Sequence, residues 1–517
     1  MYGYLFGTFT AFVLITYAIL LPIIRYFQDP KGLRKYPNLN FISGISDLGF
    51  IFEANKPFRS HALLDAHKMH PVVRIGPNSL SYGDAAAIKD IYGHNTKCVK
   101  DVFYDALAGT HHHLADVVDK PDHQRKRRIL ASAYALKNLE GWEHKVTDKT
   151  ARLITGFDAH CTAPLSGDIK KIPSPEDLTI DYRAWTNFFT LDAIADIGLS
   201  ERLGFLDAGS DLVTAEKMDG TVYKINYRKC LHATARAQAG LVWSYSWFPF
   251  LTEISKLVSK DYRERWKLNE GWNDIVLHRA SQRLRRYRNG EKLEDFFKCL
   301  MEDKNGGPNG MEWGEIVAEV SIMMNAGSDT TAIAMNNVLY QLLKHPDCLE
   351  KLRSEVASAL DENDIVAPYD KIRHLPYLRA CLDESLRLLP PTSFGLPRRT
   401  PSEGAPILGD YIPGETSVSI SAYVVHRDES VFPDAESFKP ERWLGEGAKD
   451  LQRAFVSFST GARGCIGRNI SYLEQGVLLA SVVHRYDFAL PSPDWEPARW
   501  ETFNLSPGPM PLKVWRR

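Results

Sequence analysis

One stretch near the C-terminal end limits what this chain can become more than any other: Phe458-Ser-Thr-Gly461-Ala-Arg463-Gly-Cys465-Ile-Gly467-Arg-Asn469. It sets one cysteine between spaced glycines, beside an arginine and an aromatic. A thiolate is a soft ligand, and an iron porphyrin accepts one axial protein ligand of that kind. Gly461 and Gly467 free the backbone to turn sharply and to approach a flat cofactor. Backbone amides around Cys465 can then hydrogen-bond its sulfur and tune the iron. Arg463 suits a porphyrin propionate, because guanidinium and carboxylate match as forks. Phe458 is expected to cover the ring beside the sulfur. The plainer reading is a glycine-rich loop around one buried structural cysteine. Five specified positions within ten residues make the cofactor reading the more specific of the two.

The rest of the chain divides in three. Residues 1–24 carry no charge and are rich in Phe, Leu, Ile, Tyr and Val, a run long enough to span a bilayer. Arg25, Lys31, Arg34 and Lys35 follow, a positive flank that would stay cytosolic. No basic region precedes the run and no small-x-small site closes it, so a retained anchor is expected over residues 1–27 rather than a cleaved signal peptide. Pro22 is tolerable inside a membrane helix. Residues 28–40, with Pro30, Gly32 and Pro37, read as a linker, and residues 41–517 as one catalytic domain. The net charge of −1 argues against nucleic acid as a partner. Seven scattered cysteines, with no Cys-x-x-Cys pair, indicate neither a zinc site nor a disulfide framework and fit a reducing compartment.

Within the large domain, Gly76-Pro77-Asn78 predicts a hairpin turn and residues 84–92 a helix. His111-His112-His113 lies in a loop with no well-spaced fourth metal ligand, so a solvated or substrate-facing loop is expected. His123 and Arg127, four apart, share one helix face; alone they are also consistent with a solvated basic helix start. Residues 150–300 are mostly helical in pattern and show no chemistry. Residues 312–344 read as one long helix with an unusual middle, Asn325-Ala326-Gly327-Ser328-Asp329-Thr330-Thr331. An acid and a hydroxyl there can hold water and deliver protons, Asp329 relaying them from solvent and Thr330 positioning them. The alternative is a kinked core helix. Glu384 and Arg387 sit three apart on one helix face, with Pro440-Glu441-Arg442-Trp443 downstream. Residues 418–425 read as a strand.

These motifs together resemble the cytochrome P-450 family. Phe-x-x-Gly-x-Arg-x-Cys-x-Gly matches its haem-binding signature, and residues 326–331 match its oxygen-activation motif. The resemblance runs from about Lys31 to Arg517 and is generic across residues 150–300. Tyr36-Pro37-Asn38 departs from the Pro-Gly-Pro usual in membrane-bound relatives. It implies a mainly α fold with small β-sheets, one large domain behind an N-terminal transmembrane helix. Cys465 would be the axial ligand of haem b; Arg463, Arg398, His123 and Arg127 would reach its propionates. Glu384, Arg387 and Arg442 would form a buried network beneath it, and Phe103, Ala326, Gly327 and Phe394 would face the substrate. The implied reaction inserts one oxygen atom of O2 into a small organic substrate. No Gly-x-Gly-x-x-Gly follows a strand, so NADPH would act through a separate reductase at the endoplasmic reticulum membrane. That reductase would dock by charge on Arg125, Lys126, Arg128 and Arg468. Phe103-Tyr-Asp-Ala106, Gly395-Leu-Pro-Arg398 and Val425-His-Arg427 look similar to fungal enzymes of the benzoate para-hydroxylase branch. A haem-thiolate isomerase or dehydratase and a non-catalytic haem-binding protein are the alternatives; the intact Asp329-Thr330 pair speaks against both.

Overall fold

The computed structural model describes residues 16–131, 133–135, 139–165 and 172–517. Its helix α1 (Leu21–Gln28) begins at Pro22, where a missing N–H is harmless, and ends at Asp29, whose φ of 44° turns the chain left-handed. Among the described residues no helix is long and apolar enough to cross a membrane. The expected spanning helix is therefore not found there, and residues 1–15, which would form most of it, lie outside the described residues. The segment expected as a linker is docked onto the body. Leu33 and Tyr36 are buried in a satellite core, and Lys31 Nζ donates to Asn78 Oδ1 (2.8 Å) and the Gly414 carbonyl (2.8 Å).

The main sheet is small. The turn at Gly76-Pro77-Asn78 joins β1 (Val72–Gly76) to β2 (Ser79–Tyr82), with Val72 opposite Tyr82. Strands β3 (Val99–Lys100), β4 (Arg398–Arg399) and β5 (Ser417–Ile420) complete it in the order β1-β2-β5-β4-β3. The strand expected to reach residue 425 stops early. Ser421 caps a helical turn, Ala422–Val425, by accepting from the Val424 amide.

Helices build the rest. Those that position the site are α2 (Lys120–Ala131), α3 (Tyr182–Leu199), α4 (Tyr227–Ala239), α5 (Phe248–Val258), α6 (Lys260–Arg288), α7 (Trp313–Ala326), α8 (Asp329–Lys344), α9 (Pro376–Leu388) and α10 (Arg468–Arg485). Helices α3 and α10 are buried along nearly their whole length and run through the main core. The mostly helical stretch expected over residues 150–300 also contains an antiparallel hairpin, Leu212–Glu216 with Val222–Asn226. Its turn is closed by Gly220 at φ 85° and by the Asp219 carboxylate, which accepts from the Thr221 amide (2.9 Å).

The single helix expected over residues 312–344 is two helices. A capping box, Glu312 with Glu315, starts α7. Between α7 and α8 the Ser328 amide bonds three residues back, to Asn325 O, while the Ser328 and Thr330 hydroxyls bond back to Met324 O (2.7 Å) and Ala326 O (2.9 Å). Gly327 sits at the break because α3 passes against it: a Cβ there would lie 2.7 Å from Ile194 Cγ1.

Candidate active site

The cysteine loop is shaped by its own backbone. The Cys465 amide donates to Phe458 O (2.8 Å) and the Gly464 amide to Gly461 O (3.0 Å). Gly461 has φ +70°, and a Cβ on it would collide with the Tyr92 carbonyl oxygen and lie 3.0 Å from the Gly93 carbonyl. Gly467, expected to serve the same purpose, has φ −82° and open surroundings: a Cβ would meet Tyr134 Cε1 at 3.9 Å and Cys465 Sγ at 4.0 Å. Helix α10 begins directly after it. Burial pushes the Cys465 thiol up, against the amides of Gly467 and Arg468 and the guanidinium groups of Arg127 and Arg468, all of which favour a thiolate. Although deep in the fold, the side chain is exposed rather than packed against neighbours. Phe458 packs against Tyr472, ring centroids 5.1 Å apart and planes tilted by 46°.

Beside this loop lies a group of cations. Arg463 donates to Val117 O (2.6 Å) and Val118 O (3.0 Å), Arg398 to Pro397 O (3.3 Å), and Arg127 to Gly464 O (2.8 Å). His123 is buried with them. So is Lys100, which stands directly across the β3–β4 ladder from Arg398, bonds the Ala115 carbonyl and lies over the Tyr104 ring at 4.0 Å. Among the described residues none of the five forms an ion pair, and the charged ones repel one another. Burial, then Arg463, Lys100, Arg127 and Arg398, push His123 down to about 3. Burial, then Arg398, with Arg127 adding, bring Arg463 to about 10, and burial with Arg398 and Arg463 lowers Lys100 well below the usual amine range. Buried like charges without counter-ions are costly. The arrangement fits a dianionic ligand, and the two propionates of haem b, held over a cysteine, match it in charge and place. Lys100 was not legible in the sequence; only the strand register brings it there.

Under the loop, Glu384, Arg387 and Arg442 meet as expected. All five N–H donors of Arg387 are used: two on Glu384 (2.9 Å each), and others on His426 O (2.8 Å), Ala435 O (2.7 Å) and Ser437 O (3.1 Å). Glu384 also accepts from Arg442 Nε (3.0 Å), the Lys439 amide (2.9 Å) and Trp443 Nε1 (2.9 Å). His426 ties this cluster to the cysteine loop. Its Nε2 accepts from the Val456 amide (2.9 Å) while Nδ1 faces Arg387 O (3.0 Å). Burial and then Arg387 hold the ring neutral, with a pKa of about 3.

A cavity of 990 Å3 is lined by Phe103, Ala326, Thr330, Phe394, Trp243 and Trp272, among others. Gly327 does not line it; it faces Ile194, because the residue that packs against α3 cannot also face the opposite side. His111 and His113 line the cavity, and among the described residues no group of side chains could hold a metal ion. Asp329 differs most from expectation. It is buried, and its Oδ1 accepts from Arg183 Nη2 (2.7 Å) and His232 Nε2 (3.1 Å), its Oδ2 from Asn504 Nδ2 (3.1 Å). Burial opposes ionisation, but His232 and Arg183 overcome it and hold the carboxyl far below the usual range. Its side chain, only 5% exposed, lines the cavity. Of the expected reductase contacts, Lys126 is corrected by its burial. Lys126 is buried against Glu315 (2.7 Å) and Glu319 (3.7 Å), and Arg125 pairs with Asp122 and Glu315. Arg128 and Arg468 remain exposed.

The family model for cytochrome P-450 matches residues 63–514. Among curated proteins, the chain is 33% identical over 438 residues to cytochrome P-450 monooxygenase efuB of Hormonema carpetanum, covering 83% of this chain and 81% of that one. It is 27% identical over 495 residues to benzoate 4-monooxygenase bphA of Aspergillus niger (94% and 92%). It is 26% identical over 529 residues to tryprostatin B 6-hydroxylase of Aspergillus fumigatus (100% and 85%).

Proposed function

This chain belongs to the cytochrome P-450 family, and from that premise we propose which residues carry its chemistry, on what class of substrate, and where. It is a haem b monooxygenase supplied with NADPH electrons through a redox partner. Bound haem supplies the oxidising chemistry, in which one oxygen atom of O2 enters the substrate and the other leaves as water. Cys465 would ligate the haem iron. Arg463, Arg398, Arg127, His123 and Lys100 would hold the propionates, Glu384, Arg387 and Arg442 would brace the loop, and Thr330 would position a proton on the cavity side. The observation that carries this reading is a group of five basic residues, three buried and two half-buried, that form no ion pair among the described residues and lie beside Cys465.

The substrate is a multi-ring or similarly bulky secondary metabolite, not a single-ring acid. An enclosed cavity of about 150 Å3 suffices for benzene, and the 990 Å3 here, an upper bound that includes the open mouth, admits a far larger ligand. Its walls alternate aromatic surface with amide and guanidinium groups, including Asn187, Asn325 and Arg228, which suits a large apolar frame with scattered polar substituents.

Residues 1–27 tether the chain to the endoplasmic reticulum membrane, and residues 41–517 form the cytosolic catalytic domain, with residues 28–40 fixing its orientation. Support comes from exposed apolar side chains on the N-terminal segment and on α5. Tyr17 packs on Trp247 (centroids 6.0 Å), and Phe27, Phe250, Leu257 and Val258 stand exposed. The reductase docks near Arg128 and Arg468.

The test uses the full-length holoenzyme with an NADPH-dependent flavoprotein reductase. Bulky secondary metabolites are expected to shift the haem spin state and to yield products one oxygen heavier, while benzoate does neither. Cys465→Ser is expected to lose the thiolate-type Soret shift with carbon monoxide. Benzoate as the better ligand would overturn the substrate class. Product formation without NADPH would favour an isomerase or dehydratase.

A further inference from the structure

Helix α4 presents a basic residue to the cavity at every fourth position, Arg228, His232 and Arg236, so the three share one face. Two of them are matched by acids from other elements: Arg228 lies 3.6 Å from Asp211, and His232 Nε2 lies 3.1 Å from Asp329 Oδ1. The other basic residues of the cavity wall are engaged too. Arg183 pairs with Asp329 (2.7 Å), and Arg59 donates to the Thr502 carbonyl (2.6 Å) and lies 3.8 Å from Glu501. His111 faces Glu312 (3.8 Å) and His113 faces Asp116 (3.2 Å). The remaining acids of the wall also have partners, Asp181 in the amides of Arg183 (3.1 Å) and Met510 (2.9 Å) and Asp274 in the Tyr223 hydroxyl (2.6 Å). Arg236 differs: among the described residues it has neither a carboxylate nor a hydrogen-bond partner, and its guanidinium lies over the Trp500 ring, 5.4 Å from the centroid. Both residues are exposed while lining the cavity, so the pair stands at its mouth.

We propose that Arg236, held on Trp500, anchors a carboxylate carried by the substrate, which narrows the substrate class to multi-ring monocarboxylic acids. A single unmatched cation calls for a monoanion, and a guanidinium meets a carboxylate fork to fork. Contact with an aromatic face holds the guanidinium in place without using its N–H groups. The wall beyond suits the rest of such a molecule. Trp500 belongs to a hairpin, Arg499–Glu501 with Leu505–Pro507, whose turn carries Phe503. From there an aromatic row leads inward, Phe503 to Phe394 (ring centroids 5.2 Å) and Phe394 to Trp243 (5.6 Å); Phe503 is 39% exposed and Phe394 only 2%. A carboxylate fixed at the mouth, with the rings along this row, sends the opposite end of the substrate toward Thr330. Arg236 thereby sets orientation as well as affinity. This inference rests on the multi-ring substrate reading.

The experiment measures binding to the full-length holoenzyme at neutral pH, by equilibrium dialysis and by the haem spin-state shift. The probes are pyrenebutyric acid, abietic acid and lithocholic acid, each compared with its own primary amide, which has nearly the same shape and no charge. The wild type is expected to prefer each acid over its amide by about tenfold, the low end for hydrogen bonds to a charged group because the site is open to water. Arg236→Gln should abolish that preference and leave amide binding unchanged. Arg236→Lys, which keeps the charge but loses the fork, should retain part of it. Lys229→Gln removes a charge from the same helix at an exposed position outside the cavity wall and should bind as the wild type does. With reductase and NADPH, Arg236→Gln should also spread oxidation of a bound acid over more positions than the wild type does. Equal binding of acid and amide by the wild type, or an acid preference that survives in Arg236→Gln, overturns the anchor and leaves the multi-ring reading standing. If the wild type holds none of the six probes, that reading falls and the anchor with it.

Discussion

Gly461→Ala is expected to damage the site through the backbone alone. A non-glycine residue at φ +70° costs roughly 1–2 kcal/mol in the left-handed region. The added Cβ would also meet two backbone carbonyls, Tyr92 and Gly93, and overpacking of that kind costs about 1–3 kcal/mol. Those carbonyls cannot retreat cheaply. Tyr92 ends a short helix, Ala87–Tyr92, and its hydroxyl is tied to Leu396 O (2.7 Å) and to the Ile420 amide (3.0 Å). The sum is roughly 2–5 kcal/mol, delivered to the loop that orients Cys465. Gly467→Ala is the internal control. At φ −82°, with its nearest neighbours at 3.9 and 4.0 Å, it asks for no strain, and the lost glycine flexibility of the unfolded chain contributes about 0.4–1 kcal/mol in its favour. Urea denaturation of the two haem-free variants reads the difference, and haem loading reads its effect on the site. Gly461→Ala should unfold at clearly lower urea and load poorly, while haem-free Gly467→Ala should match or exceed the wild type. Equal midpoints for the two variants would refute the steric argument.

Thr330→Ala should keep a normal haem spectrum and continue to oxidise NADPH, while product per NADPH falls and peroxide rises; unchanged coupling in folded, haem-loaded protein would remove Thr330 from the site. Arg463→Met should raise the melting temperature of the haem-free chain, by relieving repulsion with Arg398 and Arg127, and speed haem loss to a competing apo-haemoprotein. Asp329 has its folded pKa depressed below the ordinary 3.8, so its contribution to stability is fully present above about pH 4 and lost as pH falls below that. Asp329→Asn should cost about 3–5 kcal/mol at neutral pH, by leaving Arg183 buried and unpaired, and the two denaturation curves should converge in acid.

Much of this site was readable in the chain because its chemistry is local. A cysteine two residues from a glycine, Glu384 three before Arg387, and a serine and threonine bonding back over one turn all act through neighbours whose geometry the backbone supplies. Even so, neighbouring positions could be confused: Ala326 lines the cavity while Gly327, one residue on, faces Ile194, and Gly461 is under steric demand while Gly467 is not. A step of one residue along a helix turns the side chain by about 100°, so which of two adjacent small residues meets a ligand depends on what packs behind them. The remaining features join distant parts of the chain. Lys100 reaches Arg398 through a two-residue ladder, His232 and Arg183 reach Asp329 across 97 and 146 positions, and Lys126 is drawn into the body by Glu315. Each looked like an ordinary basic residue, because its role comes from the partner and the loss of water around it. Packing brings those partners together, and burial then turns scattered surface-type charges into a cation cluster and a locked carboxylate.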